Sequence, residues 1–324
     1  MPAKAHVPPR ALHGRCFTAA QAAVLGVTPR QLAGPGYRRI MRGVWATRDF
    51  KLPDHPRDRL VEILGTLQDV APQTVASHTT AAALLGLPLP GGLWRDPGLH
   101  LTRWDGRCAP RIEGVSGHRA RVAPEDRRIL AGVRLTAPVL SALQVAEMTN
   151  AAGQPLISHT ALVALLDGMV REHKVGLHRG MVPTCSLAQV HTDLQRFAHT
   201  DGIRRVRAAL DHVQVGADSA LETYARLALA AAGFTDFHHD VEIRVPGLRP
   251  VHPDLADERR RISIQIEGPH HDQSGQRIRD IERLRVTQAA GWIEIRVTAA
   301  DLFVQPGQTE PRIVQLVREA IHTM

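Results

Sequence analysis

Pro253-Asp254-Leu255 and, a few residues on, Ile262-Ser263-Ile264-Gln265-Ile266-Glu267-Gly268-Pro269-His270-His271 are the stretch on which the reading of this chain turns. Isoleucine alternating with small or polar residues, bounded by arginines and a glycine, predicts a buried strand over 262–266. Working outward, 219–232 reads as a helix ended by Gly233, and 239–245 and 250–255 as two strands joined around Pro246-Gly247. Downstream, 276–290 reads as a long polar helix closed by Gly291, and 292–297 as a fourth strand. The order is helix, three strands, helix, strand. Asp254 is expected at the end of the second strand and Glu267 at the end of the third. Adjacent strand ends can bring two carboxylates within reach of one divalent cation. Mg²⁺ takes hard oxygen ligands and keeps several waters, so two or three carboxylates and a substrate phosphate complete its shell. His270 or His271 would then move the proton of an attacking water.

The rest of the 324 residues sets the context. With 44% apolar and 22% charged residues, the chain has material for two or three domains, and wholesale disorder is excluded. No apolar run reaches the roughly eighteen residues of a membrane span, and the first ten residues lack the apolar core of a signal peptide. Cys16, Cys108 and Cys185 are too few and too far apart for a disulfide framework or a metal knuckle. A cytoplasmic protein with no membrane partner is the expectation. Charge is uneven. Residues 1–50 hold eight basic residues against the single acid Asp49, whereas 218–324 hold 13 Arg, no Lys and 16 acids. One end suits a polyanion; the other concentrates carboxylates.

Residues 1–50 read as a winged helix-turn-helix for double-stranded DNA. Thr18 caps a helix stopped by Gly26, Thr28-Pro29 restarts one, and 37–40 with 43–47 make a small hairpin. Arg30, Arg38, Arg39 and Arg42 are its candidate phosphate contacts; a helical bundle with a surface hairpin is the competing reading. Residues 51–175 form a mixed α/β region with helices over 57–69, 78–85 (capped by Ser77), 138–149 and 159–173, and strands over 99–103 and within 111–122. Its histidines His78, His100 and His118 read as scattered structural residues. Residues 176–217 read as a helical connector in which Arg204 and Arg207 share a face, turned to solvent or to phosphate.

The run FTAAQAAVLGVTPRQL, continued by YRRIMRGVWAT, resembles the N-terminal winged helix of AbiEi-like type IV antitoxins over about residues 15–49, and 51–175 resembles the extension after that winged helix. The set Glu222, Asp254, Gln265-Ile266-Glu267-Gly268, His271, Arg277/Asp280/Arg283 and Gly291-Trp292 resembles the PD-(D/E)XK nuclease superfamily, in particular its very-short-patch-repair-like domains, over about 217–302. The fold implied is multidomain, α/β and α+β: a winged helix, a mixed middle region, and a restriction-endonuclease-like αβββαβ core over 218–324. The resemblance implies Asp254, Glu267, His271, Glu222 and Gln265 as catalytic residues, Asp254 and Glu267 as Mg²⁺ ligands, and Arg277 on the nucleic-acid side.

Two departures bear on activity. Gln265 stands where the superfamily has an acid, and its lysine is missing, which weakens the hold on a cation. Glu222, three residues after Ser219, also fits a capping box, and Arg277 and Arg283 also fit ion pairs along their helix. Two readings result: a Mg²⁺-dependent endonuclease docked by its winged helix, or a bacterial antitoxin-like transcriptional regulator whose nuclease-like domain is inactive and whose partner is a nucleotidyltransferase toxin.

Overall fold

The computed structural model describes residues 6–173, 179–267 and 274–323, over 274–280 the backbone alone. The chain is mixed α/β and divides into two compact units. One runs to Leu156 and includes His199–Gly202; the other holds Ile157–Ala198 and everything from Ile203 onward. The segments expected over 1–50 and 51–175 thus largely share one unit, and the helices of the expected connector belong mostly to the other.

In the first unit, α1 (Ala19–Val24) and α2 (Pro29–Leu32) are each opened by a reciprocal capping box, Thr18 with Gln21 and Thr28 with Gln31. Gly26, at φ +79°, permits the tight turn between them. The hairpin of β1 (Tyr37–Met41) and β2 (Val44–Thr47) comes next, and Phe17 bridges Trp45. Leu12, Phe17, Ala22, Val27, Leu32 and Tyr37 form the small core of this segment. Cys16 and Val44 are instead buried with Leu60, Leu64 and Leu67 of α3 (Pro56–Val70), so the segment shares a core with that helix.

Beyond α3 lie β3 (Thr74–Ala76), α4 (His78–Leu84), α5 (Gly91–Arg95), β4 (His100–Arg103), β5 (Ser116–Arg119), β6 (Arg127–Leu130), β7 (Val133–Thr136) and α6 (Pro138–Glu147). The sheet order is β5-β4-β3-β7-β6, with β4 parallel to β5 and antiparallel to β3. Two expectations are corrected here. Ser77 occupies the cap position of α4 without capping it; its hydroxyl bonds the His78 ring instead. And His78, His100 and His118 are not scattered: their rings stack with centroids 3.9–5.3 Å apart.

The second unit opens with α7 (His159–Met169), α8 (Leu187–Arg196), α9 (Ile203–Leu210) and α10 (Ala220–Ala231). β8 (Leu255–Asp257), β9 (Ile262–Glu267), α11 (Ser274–Ala289), β10 (Ile293–Thr298) and α12 (Arg312–His322) complete it. The expected strand over 239–245 is present only as single bridges, His238 to Ala256 and Ile243 to Val251. β9 is central, antiparallel to β8 and parallel to β10. One face of the sheet, with Ile262, Ile264, Ile295 and Val297, is buried with Leu229 of α10 and with Ile313 and Val317 of α12.

A buried ion pair fastens α7 to α10. The Asp167 carboxylate accepts from Arg226 and from the Thr223 hydroxyl at 2.8 Å each, and from the Gln214 backbone N–H at 2.9 Å. Burial pushes the Asp167 carboxyl up, and the Arg226 charge and these donors pull it back. Removing one member of such a pair strands the other charge out of water. Asp167→Ala should therefore cost about 3–5 kcal/mol, read from the urea midpoint of the second unit's transition.

Candidate active site

Three loops and one helix end bring titratable groups to a cleft of about 1150 Å³ in the second unit. The site starts at the cap of α10. The Ser219 hydroxyl accepts from the Glu222 N–H at 3.3 Å and donates to Glu222 Oε1 at 2.9 Å, while Glu222 Oε2 accepts from the Asp218 N–H at 2.8 Å. Glu222 is therefore both a capping residue and a cleft residue, 7% exposed. Burial, with the Asp254 charge adding to it, raises its carboxyl to about 8.

Asp254 immediately precedes β8 rather than ending an earlier strand. β8 runs antiparallel to β9, so the start of one lies beside the end of the other, with Leu255 opposite Ile264. The register delivers Gln265 to Asp254. Asp254 Oδ2 accepts from Gln265 Nε2 at 2.7 Å and from the Ile266 N–H at 2.6 Å. Burial lifts its carboxyl to about 6 against the pull of the Ile266 N–H, Arg283 and Gln265. Gln265 Oε1 is buried with no hydrogen-bond partner among the described residues. Such an oxygen invites a cation or a donor.

Glu267 lies two residues beyond Gln265 on the same face of β9, as period two requires. Its partner is Arg296, with Nη1 3.3 Å from Oε1, and its side chain is half exposed. Among the described residues only His78, His100 and His118 bring three potential metal-binding atoms within 4.8 Å of one another, so Glu222, Asp254 and Glu267 do not close into such a trio. Arg283 sits 3.8 Å from Glu294 and lines the cleft. His270 and His271, like the side chains of Arg277 and Asp280, lie outside the described residues.

Five residues in or beside the cleft were not legible in the sequence. His239 Nδ1 lies 3.0 Å from the Asp254 backbone carbonyl oxygen and 3.7 Å from Glu222 Oε2, so the ring links the Asp254 main chain to the Glu222 carboxylate. Burial drives this imidazole down to about 4, so it is neutral, and its Nε2 has no partner among the described residues. His173 stands between two more carboxylates, with Nδ1 2.9 Å from Asp240 and Nε2 3.1 Å from Asp218. Gly216 makes the close packing here possible. A Cβ on it would lie 3.0 Å from His239 Cβ and 3.3 Å from Asp240 Cγ. None of these residues belongs to a short motif, so no spacing announced them.

Of the candidate DNA contacts in the first unit, Arg30, Arg39 and Arg42 are exposed. Arg39 and Arg42 face Glu113 at 3.7 and 3.5 Å. Arg38 differs from expectation. It is half buried, and its Nη2 donates to the Phe50 carbonyl at 2.5 Å, which makes it a brace for the hairpin. Arg204 and Arg207 are exposed on α9 in the second unit, as a solvated face requires, though Arg207 also bonds the Leu194 carbonyl.

Comparison with family models, with curated proteins and with solved structures finds no match for this chain. Among the described residues no helix is long and apolar enough to cross a membrane.

The raised Glu222 carboxyl sets a pH signature. An acid whose pKa is higher folded than unfolded binds its proton more tightly in the native state, so stability falls as pH rises between the two values. Below pH 6.5 the depressed imidazoles of His239, His100 and His118 act in the opposite direction. Between pH 6.5 and 8 Glu222 dominates these groups, and folding stability should decline by on the order of 2 kcal/mol in denaturant titrations. Glu222→Gln should flatten that decline; an unchanged slope in the variant would place its origin elsewhere.

Proposed function

We propose that this chain acts on DNA, with a winged-helix segment that docks the duplex and a PD-(D/E)XK-like second unit that hydrolyses phosphodiester bonds. The observation that carries this reading is the pair of buried, proton-hungry carboxylates, Glu222 and Asp254, beside a cleft that also presents arginines. Structural acids are seldom buried next to one another, and functional sites are where such pairs concentrate. Arg244, Arg249, Arg283 and Arg285 line the same cleft and suit a polyanion. Asp254 and the unpartnered Gln265 Oε1 are hard oxygen donors that fit Mg²⁺; Glu267 joins them only by giving up Arg296. Mg²⁺ held here would supply charge compensation for a phosphoryl oxygen and an activated water. His173, held between Asp218 and Asp240, is the described imidazole placed to hold or pass a proton at Nε2. His271 keeps that role by resemblance alone.

A second reading is favoured by two contacts. The Gln265 amide donates into Asp254, and Arg296 neutralises Glu267, so both positions are satisfied without a cation. On this reading the chain is a cytoplasmic, AbiEi-like antitoxin and transcriptional regulator, paired with a nucleotidyltransferase toxin, and its second unit is a scaffold.

A cleavage assay with Mg²⁺ or Mn²⁺ on plasmid, mismatched and single-stranded DNA separates the two. The nuclease reading expects cleavage by the parent, loss of at least about a hundredfold in Asp254→Ala, since removing a single preorganised electrostatic group costs that much, and a gain in Gln265→Glu. No cleavage by the parent or by Gln265→Glu would leave the regulator. For docking, the Cys16 and Val44 contacts with α3 make deletion of the first fifty residues a folding experiment, so point variants are the cleaner probe. Arg30→Ala should weaken duplex binding and reduce the slope of log affinity against log salt by about 0.9 if it neutralises one phosphate. An unchanged slope removes Arg30 from the interface.

A further inference from the structure

We propose that His78, His100 and His118 form a binding site for a borderline divalent transition-metal cation, with Zn²⁺ as its representative. The site lies in the first unit, and nothing in it depends on the nuclease reading. Each ring offers a nitrogen within 4.8 Å of those of the other two, and His100 Nδ1 lies 3.0 Å from His118 Nε2. The three come from separate elements. β4 and β5 run parallel with Thr102 opposite His118, which sets His100 two residues back on the same face of the neighbouring strand. His78 arrives from the start of α4 in a left-handed conformation, φ +54°, uncommon for a residue other than glycine though histidine adopts it more readily than most. Its N–H donates to Gln144 Oε1 at 3.2 Å, which holds the backbone in that state.

The surroundings of the rings suit ligation. His78 Nδ1 lies 2.9 Å from the Ser77 hydroxyl, which itself accepts from Thr102 at 2.8 Å. An outer hydrogen bond of this kind fixes a ligating imidazole and leaves its other nitrogen, Nε2, for the metal. Glu147 Oε1, 3.5 Å from that Nε2, brings a negative charge to the cluster. A shared cation would replace the His100–His118 hydrogen bond, each ring turning a nitrogen lone pair to the metal. Three imidazoles prefer Zn²⁺, Co²⁺, Ni²⁺ or Cu²⁺ to Mg²⁺ or Ca²⁺, and they leave a fourth position for water or for Glu147. The cation would also tie β5, the edge of the five-stranded sheet, to β4 and α4.

The test uses the full chain, stripped with a chelator and titrated with Zn²⁺ by calorimetry and with Co²⁺ by absorption. One equivalent of Zn²⁺ should bind at micromolar concentration or tighter, and Co²⁺ should give the intense visible bands of a low-coordinate nitrogen site. His118 is only partly buried and lies on an edge strand, so His118→Gln should fold, and it should lose at least about a hundredfold in affinity, no less than the loss of an outer-shell partner costs. Failure of the parent to bind Zn²⁺, weak octahedral-type Co²⁺ bands, or undiminished binding in His118→Gln would each overturn the assignment. The Co²⁺ spectrum of the parent decides the matter even if a variant fails to fold.

Discussion

Two carboxylates buried side by side constrain the second unit more than any other feature. Glu222 and Asp254 each lose water on folding, and the Asp254 charge makes ionising Glu222 harder still. A protein accommodates this by supplying donors, and the local structure is arranged to do so. The cap of α10 directs its Ser219 hydroxyl and the Asp218 N–H at Glu222. The antiparallel register of β8 on β9 brings the Gln265 amide and the Ile266 N–H to Asp254. Burial keeps His239 neutral, and its ring lies between the Glu222 carboxylate and the Asp254 backbone carbonyl. Apolar side chains of similar volume would often pack in the same space at lower cost, which is the cost the proposed site would have to justify.

How much of this was legible in the sequence depends on the range of the forces involved. Helix caps are local, and Thr18, Thr28 and Ser219 could be read directly, although Glu222 closes no reciprocal box on Ser219 and bonds the Asp218 N–H instead. The buried strand around Ile264 and the helix–strand pair after it were legible from period and from Gly291. β3, β6 and β7 were not, because three or four residues carry too little periodicity to stand out from loop. The strand over 239–245 was overread. Its alternation is real, but only single bridges form, where the chain turns through Pro246-Gly247 and Asp240 takes a positive φ.

Sites made by long-range register were the least visible. Asp254 and Gln265 were singled out individually, but the bond between them is a product of β8–β9 pairing. His173 reaches Asp240 across 67 residues of chain, and His78, His100 and His118 span 40 residues and three elements. Histidine is as common in cores as in ligand sets, and only the parallel pairing of β4 with β5 distinguishes the two for this trio. Arg38 shows the converse. Clustered arginines read as a DNA-facing surface, yet one of the four braces its own hairpin because the Phe50 carbonyl lies within reach.

The two proposed metal sites differ in a way that keeps them chemically separate. Around Asp254 the available donors are carboxylate and amide oxygens; around His100 they are imidazole nitrogens with one carboxylate at the edge. Hard oxygen sets hold Mg²⁺ loosely, with several waters kept, and such binding is reversible at cellular concentrations. Nitrogen sets hold Zn²⁺ far more tightly by the ordering of first-row divalent ions, and they reject Mg²⁺ almost entirely. A chain carrying both kinds can therefore fill the nitrogen site with a resident ion that stiffens a sheet edge and leave the oxygen site to an exchangeable ion that comes and goes with substrate. That division rests on donor chemistry alone, and it means that loss of an ion from one unit need not be felt as loss of an ion from the other.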